Sequence, residues 1–412
     1  MNRRYVVLLG VLVALVAAAS VSSAGQAPGT AGKTAAAAKQ WTQPRTAWGD
    51  PDLQGIWQGV GGAPLERPQR FAGREFLTDA EVAAKEQDAR ARDAQRLAGT
   101  AEEFGFRLQP NYNGVFQGTP TTSPNFRISR RTASIIDPPD GRLPPLTPEA
   151  LKRWEARDAA SRGRGESDTP LDRALPERCI NVETAGRVGS WGLGGQVADT
   201  SVSAAAARTD IGLVGNGEGG GGGGGWRQIL QGPGYVVMLM QSDGGGGGQE
   251  KFRIIPLDRR PALGPKVRQY MGEARGHWDG NTLVVEITNL AFADPIFTTY
   301  GQAAYPGSSE TLRIVERYTL LGADSLEYRY TIDDPETYTR PYTVFREFAR
   351  DDGFALAPEL CHEVNRDMGA ILASARADEV AAVEFAAESA QKRRQRLEEV
   401  KAESAAVSNK NR

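Results

Sequence analysis

The chain has 412 residues, 40% of them apolar and 24% charged, which allows a sizeable core, excludes global disorder and leaves room for two or three domains or one decorated domain. Lys and Arg number 49 against 51 Asp and Glu, so there is no global basic field of the kind nucleic acid attracts. Two His and two Cys are too few for zinc fingers, ferredoxin-type clusters or multi-His cages, and neither a metal nor a cofactor is expected.

Residues 1–24 read as a secretory signal peptide. Arg3 and Arg4 form a basic start, Tyr5 to Ala19 is apolar, and Ser22-Ser23-Ala24 offers small residues for cleavage. The apolar stretch is short for a membrane span, and no other segment stays apolar for the roughly 18 residues a span needs. The mature protein is expected to be secreted or periplasmic, with no transmembrane segment. In an oxidising compartment Cys179 and Cys361 are expected to pair. Their bridge would close a long loop, near ~5 kcal/mol in the chain-entropy account.

Residues 25–40, rich in Ala, Gly, Thr and Lys, read as a disordered linker. Residues 41–185 read as an irregular and helical region that packs on a later β domain. There, Trp41, Trp48 and Trp57 cluster around the turn at Gly49 to Asp52, and Leu53 to Trp57 is a short first strand. Thr78-Asp79-Ala80-Glu81 is a capping box that opens a surface helix to about Leu97. Arg131 to Ile136 is β-prone and stops at Asp137-Pro138-Pro139-Asp140-Gly141. Thr147-Pro148 is an N-cap with Pro at the first helical position and opens a helix to about Ser161.

Residues 186–225 form a Gly- and Ala-rich loop ending in seven consecutive Gly, and a second run of five spans 244–248. Neither is followed by the Lys-Ser/Thr of a phosphate-cradling loop. Residues 226–365 read as an antiparallel β domain. Tyr235 to Met240 is a buried strand and pairs with Phe252 to Leu257 across the second glycine run. Trp278-Asp279-Gly280-Asn281-Thr282 is a hairpin turn. Leu312, Ile314, Glu316, Tyr318 and Leu320 share one face of a strand, and Leu326, Tyr328, Tyr330 and Ile332 share one face of the next. Tyr342 to Phe348 follows. Such a meander must curl into a barrel or be covered as a sandwich. Residues 366–412 read as a helical tail with little apolar face after Phe385.

The motifs resemble those of a family of uncharacterised exported bacterial proteins. They are Trp48-Gly-Asp-Pro-Asp-Leu-Gln-Gly-Ile-Trp57, Pro64-Leu-Glu-Arg-Pro68, Phe71 to Asp79, Arg131 to Pro148, Arg178-Cys179-Ile180, Pro233 to Val237, Arg253 to Asp258, Gly276 to Val285, Asp333-Asp-Pro335, Thr339-Arg-Pro341 and Cys361-His-Glu363. The resemblance brings no established activity. Relatives usually carry a short Asn- and Tyr-rich stretch where Val182 to Gly225 stands here. They often carry a Glu-x-x-His where Ser242 to Gln249 is mostly glycine, so a family site using that His would be lost. Gly55-Ile56-Trp57 ahead of a late meander is also similar to lipocalin-like barrels.

His277 and His362 are the only imidazoles. His362, beside Glu363 and the bridged Cys361, reads as a possible general base, or each His simply satisfies a buried hydrogen bond. If the bridge forms, Arg178, His362 and Glu363 share one neighbourhood. That cluster is either an anion or catalytic site or a structural ion pair. Arg178, Arg275 and Trp278 are the candidate ligand-binding residues. Trp278, Tyr318, Tyr328, Tyr330, Tyr338 and Tyr342 either line a ligand site or form the core and rim of a sheet. No Gly-x-Ser-x-Gly is present, and Asp333-Asp334 reads as a turn. Three functions follow: a protein binding a small apolar or saccharide ligand in a barrel or sandwich cavity, a hydrolase or lyase using His277, His362 and Glu363, or an envelope-associated interaction module.

Overall fold

A computed structural model describes residues 41–98, 121–161, 168–170, 226–241, 251–291, 309–355, 369, 372 and 379–410, apart from 62, 122, 259 and 270. The signal peptide, the linker, both glycine runs, Arg178, Cys179, Cys361, His362 and Glu363 lie outside the described residues.

The protein is mainly β. Ten strands are described: β1 (Gly55–Gly59), β2 (Ile135–Asp137), β3 (Trp226–Gly232), β4 (Tyr235–Gln241), β5 (Lys251–Pro256), β6 (Glu273–Asp279), β7 (Thr282–Thr288), β8 (Arg313–Gly322), β9 (Ser325–Asp333) and β10 (Tyr342–Arg350). Three helices accompany them: α1 (Asp79–Ala98), α2 (Pro148–Ser161) and α3 (Glu379–Lys410).

Nine strands run in the order β5-β4-β3-β1-β10-β9-β8-β7-β6, every neighbouring pair antiparallel, and β2 pairs with β10 off this path. The ends of this path meet. A Cβ placed on Gly276 of β6 would lie 2.7 Å from Ile255 Cγ2 and 2.8 Å from Leu257 Cδ2 at the end of β5. The sheet is thus a nearly closed barrel, an up-and-down array in which β1 joins the β3–β5 and β6–β10 meanders.

The parity of the array explains the gap. With nine strands, each antiparallel to the next, β5 and β6 must run in the same direction. A two-residue turn cannot join parallel neighbours, so residues 257–272 carry the chain back along the barrel. That connection is pinned in place. Both carboxylate oxygens of Glu273 accept the Leu263 N–H, at 3.0 and 2.8 Å, and Glu273 also takes Arg275 at 2.6 Å and Asn289 Nδ2 at 2.9 Å. Asn289 adopts φ +52, a left-handed conformation that Asn tolerates, and donates from Nδ2 to Leu263 O at 3.1 Å.

Burial alone would raise the Glu273 pKa, but the Arg275, Leu263 and Asn289 hydrogen bonds outweigh it and hold the carboxyl below its ordinary value of 4.5. A folded-state pKa below the unfolded one gives stability that is present above about pH 4.5 and lost as pH falls through the folded value. The Leu263 amide is therefore expected to lose hydrogen-exchange protection on acidification, and to lack it at every pH in Glu273→Ala. An amide equally protected at neutral and acid pH would contradict this anchor.

Short elements follow from local chemistry. The β6–β7 turn is the two residues Gly280–Asn281, with Asp279 opposite Thr282 and Gly280 at φ +60, the positive φ that a two-residue hairpin asks of its first residue. Thr78 and Glu81 make the expected capping box, the Thr78 N–H to Glu81 Oε2 at 2.7 Å and the Glu81 N–H to Thr78 Oγ1 at 3.3 Å. The Arg74 guanidinium and the Thr78 N–H lower the Glu81 pKa to about 2. Thr147 Oγ1 accepts the Ala150 N–H at 3.1 Å and caps α2.

The β-prone stretch Arg131 to Ile136 forms only the three-residue β2. Most of its hydrogen bonds go sideways instead: Ser134 and Ile135 N–H bond Pro64 and Leu65 carbonyls, and Phe345 N–H bonds Ser134 O. In this way the N-terminal region is stitched to β10 at Thr343 and Val344, beyond the stretch that β1 pairs with. The tail also differs from expectation. Instead of remaining fully solvated, α3 buries Leu397 and Val400 against Trp154 of α2, and Lys401 pairs with Glu155.

The barrel inverts the usual pattern on one side. Phe252 and Ile254 of β5 are 64% and 56% exposed, whereas Arg253 between them is 5% exposed. The interior therefore contains polar groups that the strands bring together.

Candidate functional site in the barrel interior

Alternation along each strand sets what points inward. On β8 the inward row is Ile314, Glu316, Tyr318 and Leu320, and on β9 it is Leu326, Tyr328, Tyr330 and Ile332, all buried. Register places Tyr318 opposite Tyr328 and Glu316 opposite Tyr330. The Tyr318 and Tyr328 rings stack at 4.7 Å with an 18° interplanar angle.

Glu316, 1% exposed, is the hub. Its Oε2 accepts Arg253 Nη1 at 2.7 Å and the Tyr318 hydroxyl at 3.1 Å, and its Oε1 accepts the Tyr328 hydroxyl at 2.7 Å. The Arg253 bond crosses the barrel from β5 to β8, two strands that are not sheet neighbours. A buried carboxylate needs such partners, because taking an unpaired charge out of water costs several kcal/mol, roughly, per ion. Burial first, and the nearby Glu316 charge next, raise the phenol pKa values of Tyr318 and Tyr328 above their ordinary range. Both hydroxyls therefore stay protonated and donate.

Arg227 completes the cluster from β3. Its Nη1 donates to Tyr318 Oη at 3.2 Å, and its guanidinium carbon lies 4.6 Å from the Tyr328 ring centre and 4.8 Å from that of Phe348. Aromatic faces attract a guanidinium, more strongly when water is excluded. Burial alone would lower the Arg227 pKa, but Tyr318, Tyr328 and Glu316 together keep it above the ordinary value. Arg227 is thus a fixed cation. Its hydrogen-bond acceptor is a neutral hydroxyl, and Nε is shielded from solvent and makes no hydrogen bond among the described residues. Glu316 acts on Arg227 electrostatically, but its direct ion pair is with Arg253. This arrangement holds a cation in place with a donor to spare, which suits it to receiving an anion.

The location of Arg227 is also defined. Trp226 pairs with Gln241, and Met240 with Lys251, so the start of β3, the end of β4 and the start of β5 lie at one end of the barrel. Arg227 is the second residue of β3 and stands at that end.

The residues singled out in the sequence occupy different places. Arg275, His277 and Trp278 all belong to β6. His277 is exposed on the outer surface and pairs across the ladder with Val284. Its carboxylate neighbours are engaged elsewhere: Asp279 with Arg317 at 2.7 Å and Glu286 with Arg313 at 2.7 Å. Those guanidiniums are the main cause of the lowered Asp279 and Glu286 pKa values, and His277 contributes least. Arg275 bonds Glu273 at 2.6 Å and supports the 257–272 connection. Trp278 packs against the main core, and its indole N–H has no hydrogen bond among the described residues. Tyr318, Tyr328 and Tyr330 do line the barrel interior. Tyr338 and Tyr342 meet edge-on at 5.2 Å nearer the rim. Asp334 anchors a turn, accepting Ser309 N–H at 2.8 Å and Ser309 Oγ–H at 2.6 Å.

Sequence reasoning did not select Arg227, Arg253 or Glu316 as site residues. One signal was present: Glu316 interrupts an otherwise apolar row on β8. Among the described residues no three His, Cys, Asp or Glu side chains converge to hold a metal, and no helix is long and apolar enough to cross a membrane. No family model, curated protein or solved structure matches this chain. Fold and site therefore define the class directly: an antiparallel, nearly closed barrel with a buried guanidinium–carboxylate–tyrosine cluster.

Proposed function

We propose that the protein binds a small amphipathic anion, a carboxylate on a short apolar or aromatic body, at the Arg227 end of its barrel. The observation that carries this reading is Arg227 itself, lying over two adjacent rings, hydrogen-bonded to a neutral hydroxyl and left with a shielded Nε. Arg227 is half-buried and makes no direct ion pair among the described residues, Glu316 acting on it without touching it, so a ligand carboxylate would add the direct charge contact that it lacks. Tyr328, Phe348 and Trp57 are the buried apolar side chains beside it. A neutral saccharide would bond the tyrosine hydroxyls but leave the cation uncompensated, and is the less favoured occupant. The hydrolase reading rests on His277, which is exposed on β6 with its carboxylate neighbours Asp279 and Glu286 paired to Arg317 and Arg313. We further propose that the chain acts after export, cleaved near Ala24 and with Cys179 bonded to Cys361, on the strength of its N-terminal pattern.

Calorimetric titration with octanoate and octanol tests the binding reading. The wild type is expected to prefer octanoate. Arg227→Met, which keeps an apolar stem against the rings, is expected to weaken octanoate by roughly 30-fold or more, the scale of a close charge contact, and to leave octanol unchanged. Equal affinity for the two ligands, or an unaltered octanoate affinity in the variant, would overturn it.

A further inference from the structure

The outer face of the barrel is not uniform. On β6 to β8 it is charged and its ions are paired, Arg275 with Glu273, Arg313 with Glu286 and Arg317 with Asp279. On β3 to β5 it is apolar. Register sets Phe252 beside Leu239 and Ile254 beside Val237, with Leu230 next to Val237 on β3. Phe252, Ile254, Leu230 and Tyr235 are exposed, and Val237 and Leu239 are half-buried. A Cβ on Gly232 would lie 2.8 Å from Tyr235 Cε1, so the Tyr235 ring rests against that backbone and extends the face. Adjacent exposed apolar side chains on three neighbouring strands mark a surface that meets a partner or a membrane.

The chain that borders this face is basic. From Lys251 to Arg268 it carries six cations and one acid, Asp258. Of the cations, Arg253 faces the interior and Arg268 pairs with Glu310. The 257–272 connection leaves β5 at Leu257, whose N–H donates to Gly234 O at 2.8 Å, and then lies beside β6, where Arg275 donates to Pro261 O at 3.3 Å. It presents exposed Leu263 and Val267, and between them Lys266, also exposed and without an ion pair among the described residues. Asp258 is already held by Arg260 and Arg275. Apolar side chains with excess cations at their margin fit an anionic lipid surface. The apolar groups enter the headgroup boundary, and the cations meet the lipid charge. A second copy packed on the same face would set like charges together, with Asp258 already engaged.

We infer that the β3–β5 face and the 257–272 connection dock the protein on an anionic lipid surface, as a peripheral attachment made by strands and a loop. The attachment uses the outer surface alone and is independent of what the Arg227 end of the barrel binds.

Co-sedimentation with vesicles tests the assignment, using the mature chain, which lacks the apolar Tyr5–Ala19 stretch. The vesicles are phosphatidylcholine alone, or an equimolar mixture of phosphatidylcholine and phosphatidylglycerol. Binding to the mixed vesicles is expected to be about tenfold or more tighter than to phosphatidylcholine, and to weaken as salt is added. The double variant Phe252→Ser, Ile254→Ser is expected to weaken it by about tenfold or more, because two side chains that leave water are removed. Lys266→Gln is expected to weaken it by about fivefold, the effect of one charge at the lipid surface. All three positions are exposed, so urea midpoints should stay at the wild-type value. No binding by the wild type, equal binding to the two vesicles, or undiminished binding by the double variant would each overturn the assignment. So would a dimer in sedimentation velocity that the double variant dissociates, which would give the face to a second copy.

Discussion

Glu316→Gln is expected to destabilise the protein by about 3–5 kcal/mol, the cost of leaving a buried charge without its counter-ion. The substitution keeps the shape of the side chain and removes only the charge that Arg253 meets at 2.7 Å. It also replaces an oxygen that accepts from both Arg253 and Tyr318, or one that accepts from Tyr328, with an NH₂ group that must point at a donor. The double variant Arg253→Met, Glu316→Leu is expected to recover most of the loss, because well-packed apolar residues often replace a buried ion pair without penalty. Urea unfolding, with midpoints compared at unchanged slope, measures both. A single variant within about 1 kcal/mol of wild type, well under that penalty, would mean that the cluster does not hold the barrel from within.

Trp57→Ala is expected to cost a similar amount, about 3–5 kcal/mol. Trp57 is fully buried on β1, donates Nε1–H to Leu53 O at 3.0 Å and stacks under the Arg350 guanidinium at 4.7 Å. β1 is only five residues long, yet it alone joins β3 to β10. Removing its one large side chain leaves a cavity at the strand that unites the two meanders. The unfolding midpoint should fall, and amides on both β3 and β10 should lose protection together. A loss of protection confined to β1 would show that the meanders are stable apart and that β1 is an accessory strand.

Much of this architecture was readable because turn chemistry and alternation are local. The pair Gly280–Asn281 fixes the β6–β7 register, and Thr147 fixes the start of α2, whatever the rest of the chain does. The inward rows of β8 and β9 follow from a period of two. The short strand expected at Leu53 to Trp57 shifts two residues to Gly55–Gly59, because its limits are set by partners far away in sequence.

The site was less legible for the same reason. Arg253 alternates with Phe252 and Ile254, and hydrophobicity alone assigns the arginine to solvent. It turns inward because Glu316, 63 residues away, meets it there. Arg227 offers no local signal either, since its partners come from β8, β9 and β10. Conversely, Arg275, His277 and Trp278 stand close together in sequence, but the pleat of β6 sends His277 to solvent and Trp278 to the core. Proximity along a strand separates side chains rather than gathering them.

The ionisation state of a bound ligand tests the role of Arg227 most directly. Carboxyl-labelled octanoate, bound to the mature chain and followed by NMR as pH is lowered, reports whether its headgroup meets a cation. Contact with Arg227 predicts a bound carboxyl that stays ionised well below the ordinary carboxylate range, and one that titrates normally, or binds too weakly to follow, in Arg227→Met. A bound carboxyl that titrates in the wild type as it does in water, or at higher pH, would place the anion away from Arg227 and contradict the proposed function.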